Sequence, residues 1–192
     1  ASCLVGSEMC IRDRLKGVLE EQWQPAGSAR PFLKLGVSEG LVYTYDPAAA
    51  QGSRVTSITL NGTAIDPAAN YTVAANSFLA AGGDNFFTFK EGTGKRDTGK
   101  IDLQSMVDWF DANKTATPDL AQRAVGVSVS APDADGYSAG DQVTVALSSL
   151  AFSAGEQAPG EVTLSLGGTQ LASGAVLSLI HISEPTRQEA IS

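Results

Sequence analysis

The chain has 192 residues, with 13 Lys and Arg against 21 Asp and Glu, a formal net charge of −8 and 43% apolar residues. That balance argues against a grip on a nucleic-acid backbone, which needs clustered cations. No apolar run approaches the roughly 20 residues of a membrane-spanning helix.

The two ends share an origin. Residues 4–13 can be encoded by a DNA segment whose reverse complement, carried two bases further, encodes residues 177–187. One sequencing-adapter segment read on opposite strands accounts for both, so residues 1–14 and 177–192 are expected to belong to no domain. Leaving them out removes three basic and four acidic residues and moves the net charge from −8 to −7. It also removes Cys3, Cys10 and His181, the only cysteines and the only histidine. The remaining ~160 residues suffice for one core or somewhat more. They offer no disulfide, no thiolate or imidazole metal ligand and no Ser–His or Cys nucleophile. No catalytic residue, metal ligand or cofactor is expected there.

In chain order, Leu15, Val18, Leu19 and Trp23 recur at helical spacing, which predicts a helix with one apolar face and Trp23 in the core. Gly27, Ser28 and Pro31 place Phe32 on a loop. Residues 41–45 and 55–60 read as strands, and Asn61-Gly62 is a strong hairpin turn into residues 63–65. Residues 71–75 form a further strand. Alternation through Thr88 predicts that Phe86, Phe87 and Phe89 line a buried strand. Lys90, Lys95, Arg96 and Lys100 read as a solvated loop. Asp102 is expected to cap a helix whose Leu103, Met106, Val107 and Phe110 are buried, together with Trp109. Strands and helices interleave without a regular repeat, which gives an α+β class with a mixed sheet. Asn61, Asn70 and Asn113 each begin a glycosylation acceptor triplet but sit where turn chemistry also wants Asn.

Composition shifts near Gly126. From Ala124 to Val176 there is no Lys or Arg. Val125, Val127 and Val129 alternate, as do Val143, Val145 and Leu147, then Val162, Leu164 and Leu166, and Gly167-Gly168 reads as a hairpin turn. The expected division is residues 15–124 as one domain and 125–176 as a truncated, immunoglobulin-like β-sandwich. Asp133, Asp135 and Asp141 lack the closing bidentate Glu of a calcium loop and read as a polar turn.

The densest cluster of chemistry follows the strand at 71–75: Asn76-Ser77-Phe78-Leu79-Ala80-Ala81-Gly82-Gly83-Asp84-Asn85-Phe86. Paired glycines permit positive φ and close approach of a ligand. Asp84 can accept two hydrogen bonds from a vicinal diol, and Phe78 offers a flat face to an aromatic ring. With Pro31-Phe32-Leu33-Lys34, residues 41–46, Arg54-Val55 and Asp97-Thr98-Gly99, this segment resembles the C-terminal domain of the 5′-nucleotidase family over residues 15–114. The resemblance implies that Phe32 and Phe78 sandwich a nucleobase, that Asp84 holds the ribose hydroxyls and that Gly82 and Gly83 shape the site. Lys34 stands where that family more often has Gln or Asn, and Asn85 where it more often has Gly.

The resemblance further implies a nucleotide or nucleoside partner and a secreted, periplasmic or surface location in a bacterium. It implies an N-terminal metallophosphoesterase domain with two divalent metal ions, not contained in this sequence. The chain is then expected to be the inactive substrate-recognition fragment of a hydrolase of nucleoside 5′-phosphates. A 2′,3′-cyclic-nucleotide phosphodiesterase or UDP-sugar hydrolase of the same architecture, or a non-catalytic surface binding module, are the alternatives.

Overall fold

Leu15, Val18 and Leu19 are buried on one side of α1 (Asp13–Glu20), as their spacing predicts, and α1 starts two residues before the expected domain boundary at 15. Trp23 lies past the helix end, partly buried against the core. The computed structural model describes residues 3–10, 13–66, 68–117, 119, 121–132, 136–138, 142–151, 160–166, 169–175 and 186–187.

The strands in chain order are β1 (Cys3–Cys10), β2 (Leu41–Tyr45), β3 (Val55–Leu60), β4 (Thr63–Ala64), β5 (Asn70–Asn76), β6 (Thr93–Ile101), β7 (Ala124–Val129), β8 (Val145–Ser148), β9 (Glu161–Leu166), β10 (Thr169–Ala175) and β11 (Thr186–Arg187). The helices after α1 are α2 (Ser77–Ala80) and α3 (Asp102–Asn113), with 3₁₀ segments at Gly83–Asn85 and Phe87–Glu91. One sheet runs β11-β8-β7-β2-β3-β4, with β2 and β7 parallel and its other pairs antiparallel. A second, β5-β1-β6, is antiparallel throughout, and β9 pairs with β10 alone. The Asn61-Gly62 turn between β3 and β4 has φ of 52° and 77°, the left-handed pair that a two-residue hairpin demands.

The core gathers Leu15, Val18 and Leu19 with Tyr43 and Tyr45 of β2, Val55 and Ile58 of β3, Phe86, Phe89 and Ala124. What fixes α1 over these groups is polar. The Glu20 carboxylate, in a residue only 5% exposed, accepts from the backbone N–H groups of Val55 (2.6 Å) and Gly52 (3.0 Å). Gln22, fully buried, accepts from Leu35 N (2.8 Å) and donates to Leu19 O (2.8 Å) and to the Tyr43 hydroxyl (3.0 Å). Buried polar groups are tolerated when bonded in this way. These bonds tie the end of α1 and the residues just after it to β2, to β3 and to the loops at Leu35 and Gly52.

Several expectations are corrected. Phe87 is 53% exposed while Phe86 and Phe89 are buried, because the segment is a 3₁₀ turn rather than a strand. Residues three apart then share a face, and Phe87 is turned outward. The basic residues from Lys95 to Lys100 lie on strand β6, exposed along its whole length, not on a loop. In α3, Leu103, Met106, Val107, Trp109 and Phe110 are 43–69% exposed. Helical spacing tells which residues share a face, not what the face meets. Here α3 follows directly from exposed β6, held by Lys100 to Asp108 at 2.9 Å. Its N-cap position is Ile101, and Asp102 bonds the N–H of Leu103 from inside the first turn.

The division at 124/125 falls inside β7, which pairs in parallel with β2 and carries β8 on its other side. Strands read as the start of a separate immunoglobulin-like unit thus extend the first sheet. The alternating valines are also out of phase. Ala124 and Gly126 are the buried positions, and Val129 is 52% exposed. A Cβ on Gly126 would stand 2.0 Å from Ser148 Oγ and 3.3 Å from the Tyr45 ring, so no larger residue fits the inner face. Leu166 and Thr169 pair across the end of β9 and β10. The Gly167-Gly168 turn between them, and Asp133, Asp135 and Asp141, lie outside the described residues. At the termini, the Cys3–Cys10 backbone takes the middle place between β5 and β6, and Thr186–Arg187 pairs with β8. Ladder hydrogen bonds are made by backbone groups alone, so that place calls for an extended segment rather than for particular side chains.

Candidate functional site

Strand β5 ends at Asn76, whose side chain accepts from the Leu79 N–H at 2.8 Å and starts the single turn of α2. The chain then reverses through Gly82, at φ 81°, and two further left-handed residues, Asp84 (φ 51°) and Asn85 (φ 63°). Asp and Asn are the non-glycine residues that visit this region most readily. The two glycines divide the work. Gly82 supplies the positive φ. Gly83 supplies room: a Cβ there would lie 2.5 Å from Cε1 and Cζ of Phe78. The close approach foreseen for a ligand is made by the protein's own aromatic ring.

Phe78 is thus backed on one side by Gly83 and is 56% exposed. Phe32 is 39% exposed, with its ring 5.1 Å from that of Trp23 at 57°. Trp23 is itself packed edge-on to Tyr45 at 5.0 Å and covered by the Arg54 guanidinium at 5.3 Å. Among the described residues the two phenylalanines make no ring contact with each other. The Asp84 carboxylate is partly exposed and its Oδ1 accepts from Arg30 Nη2 at 3.2 Å.

What joins the Phe32 loop to the Asp84 turn is Gln24, a residue the sequence reading passed over. Its backbone N–H donates to Pro31 O at 2.9 Å. Its Nε2 donates to Asp84 O (2.9 Å) and Glu21 O (2.9 Å), and its Oε1 accepts from Asn85 Nδ2 (2.7 Å). Asn85 is therefore a structural partner of Gln24. Glu21 holds the far end of the turn, accepting from the Thr88 N–H (2.9 Å) and hydroxyl (2.8 Å). Partial burial raises its pKa above the ordinary value of 4.5, opposed by the bonds from Thr88. A signal for the two acids was present. Glu20 and Glu21 crowd the C-terminal end of a helix, where the dipole disfavours acids, whereas the neutral Gln22 and Gln24 carry no such signal.

Phe32 accordingly lies on one loop, and Phe78 of α2 with Gly82, Gly83 and Asp84 on the turn that follows it, the two cross-tied by Gln24 and Arg30. A separate cleft of about 490 Å³, lined by Lys16, β3, Ala64 and Ile65, contains none of them. No helix among the described residues is long and apolar enough to cross a membrane.

Residues 13–91 match the family described as 5′-nucleotidase, C-terminal domain. Among solved structures, the chain is similar to the 5′-nucleotidase precursor of Thermus thermophilus, with 29% identity and a TM-score of 0.52 over 64% of this chain and 25% of that one. The NAD nucleotidase of Haemophilus influenzae shares the fold, with 21% identity and a TM-score of 0.53 over 64% of this chain and 24% of that one. This chain spans about a quarter of the length of either. No curated protein matches it. The matched stretch begins at the first residue of α1 and closes at the end of the 3₁₀ segment after Asp84, so it is over residues 13–91 that the chain is similar to 5′-nucleotidase C-terminal domains.

Proposed function

We propose that this domain is the nucleoside-recognising part of a phosphohydrolase acting on nucleoside 5′-phosphates. Phe32 and Phe78 stack on the base and Asp84 accepts from the ribose hydroxyls. The observation that carries this reading is the joining of the two loops through Gln24. It supports a fixed relation between two exposed rings, each backed by protein, and the turn that carries the Asp84 carboxylate. On the same reading, two divalent metal ions and the residues holding them belong to a metallophosphoesterase domain outside this sequence. The whole enzyme works outside the cytoplasm, and this chain by itself hydrolyses nothing.

Base stacking contributes about 1–3 kcal/mol per base by alanine substitution. A carboxylate on the ribose adds about 1.5–3 kcal/mol. After the ordering cost of association, a net of about 4 kcal/mol corresponds to a dissociation constant near 1 mM. An NMR titration with adenosine tests this. Resonances of Phe32, Phe78 and Asp84 should shift with millimolar affinity, and Phe78→Ala and Asp84→Ala should each weaken binding. Shifts confined to the exposed cations of β6 would refute the placement.

A further inference from the structure

We propose that Arg30 makes the ribose end of this site receptive to a phosphate on the 2′ or 3′ oxygen, so that ribonucleotides phosphorylated at that edge bind better than the bare nucleoside. The inference rests on the nucleoside-recognising role proposed for Phe78 and Asp84.

A lone carboxylate reading a ribose diol repels any anion attached to that diol. Asp84 is not alone. Arg30 Nη2 stands 3.2 Å from its Oδ1 and neutralises it. The contact is single, not the two-pronged pairing that guanidinium and carboxylate often make, so further donors of the fork are not spent on Asp84. Arg30 has no other hydrogen-bonded partner among the described residues, and its side chain is 67% exposed. Donors in a fork that fits phosphate oxygens are therefore presented to solvent beside the carboxylate. The Arg30 backbone is also placed, since Pro31 next to it is tied to Gln24 and Phe32 to Trp23.

A second cation borders the same turn. The Lys90 side chain lies across Gly82, its Nζ 3.2 Å from where a Cβ on that glycine would be and 5.2 Å over the Phe87 ring. In a chain of net charge −8, Arg30 on one loop and Lys90 on the other border the Asp84 turn with positive charge. That field suits an anionic ribose edge. A purely structural ion pair at this exposure would contribute little to stability.

The test measures dissociation constants of adenosine and of its 2′-, 3′- and 5′-monophosphates by NMR at low salt. The proteins are the full chain, Arg30→Met, which keeps the apolar stem, and Arg30→Lys, which keeps the charge without the fork. At least one of the 2′ and 3′ isomers should bind the unaltered chain roughly tenfold more tightly than adenosine, allowing for exposure. The 5′ isomer should stay within about threefold of adenosine, since no cation is assigned to that end. Arg30→Met should abolish the preference, read as the ratio of the phosphorylated isomers' affinity to that of adenosine in the same variant, and Arg30→Lys should keep part of it. A gain that survives Arg30→Met, or 2′ and 3′ isomers no tighter than adenosine, would overturn the assignment of Arg30 alone. Adenosine that moves no resonance around Phe78 and Asp84 would remove the nucleoside reading and this inference with it.

Discussion

Gly83→Ala separates recognition from stability more cleanly than truncating Phe78. Gly83 does not occupy the left-handed region, so alanine meets no backbone penalty there. The new methyl group would stand 2.5 Å from Cε1 and Cζ of Phe78 and 2.6 Å from Cε2. Carbon atoms rest about 3.5–4.0 Å apart, so the ring must retreat by about 1 Å or more. Because Phe78 is 56% exposed, it can swing toward solvent without opening a hole in the core. The loss of stability should then fall at the low end of overpacking costs, about 1 kcal/mol. Binding fares worse: displacement of one stacking plate forfeits about 1–3 kcal/mol, a five- to 150-fold rise in the dissociation constant. Thermal unfolding and an adenosine titration on the same sample give both numbers. Unchanged affinity in a variant that melts normally would show that the ring's position has no part in binding. A loss of several kcal/mol in stability would show that Gly83 serves the core.

Phe86→Ala should behave in the opposite way: the side chain is 1% exposed, so denaturant unfolding should register a loss of about 3–5 kcal/mol. Glu21 carries a raised pKa through burial, so the native state keeps its proton to higher pH than the unfolded chain does. Its contribution is fully present below the ordinary value of 4.5 and is lost as pH rises through the folded one; relative to wild type, Glu21→Gln should gain stability as pH rises above that ordinary value, and a pH-independent difference would contradict this. Residues 3–10 bridge β5 and β6 through backbone bonds, so deleting residues 1–12 should lower the melting temperature, whereas exchanging residues 3–10 for an unrelated strand-forming sequence should not. An unchanged melting temperature on deletion would mean that the middle strand adds nothing to the fold.

Local chemistry was legible wherever a single segment decides its own conformation. Asn61-Gly62 had to turn. Residues 41–45 and 55–60 had to be strands, and the α1 spacing had to bury Leu15, Val18 and Leu19. The turn after Phe78 also announced itself, because Gly82, Asp84 and Asn85 are the residue types that bear positive φ. The family resemblance, read over residues 15–114, overlaps the matched stretch at 13–91, which includes the turn after Phe78 but stops short of Asp97-Thr98-Gly99.

What sequence could not supply were relations between segments far apart in the chain. Gln24 looks like any polar residue after a helix until Asp84 and Asn85, 60 and 61 positions away, are brought to its amide. Arg30 becomes informative only beside Asp84. Periodicity put α3's apolar residues on one face but could not say that the face would stand exposed. The compositional break near Gly126 suggested a boundary, yet β7 pairs in parallel with β2, and Gly126 sits close against Ser148 of β8 and Tyr45 of β2. A residue's own conformational preferences are written in its side chain and its neighbours in sequence. The partners that satisfy its hydrogen bonds, fill the space beside it or neutralise its charge are set by the folded chain, and this site is made of such partners.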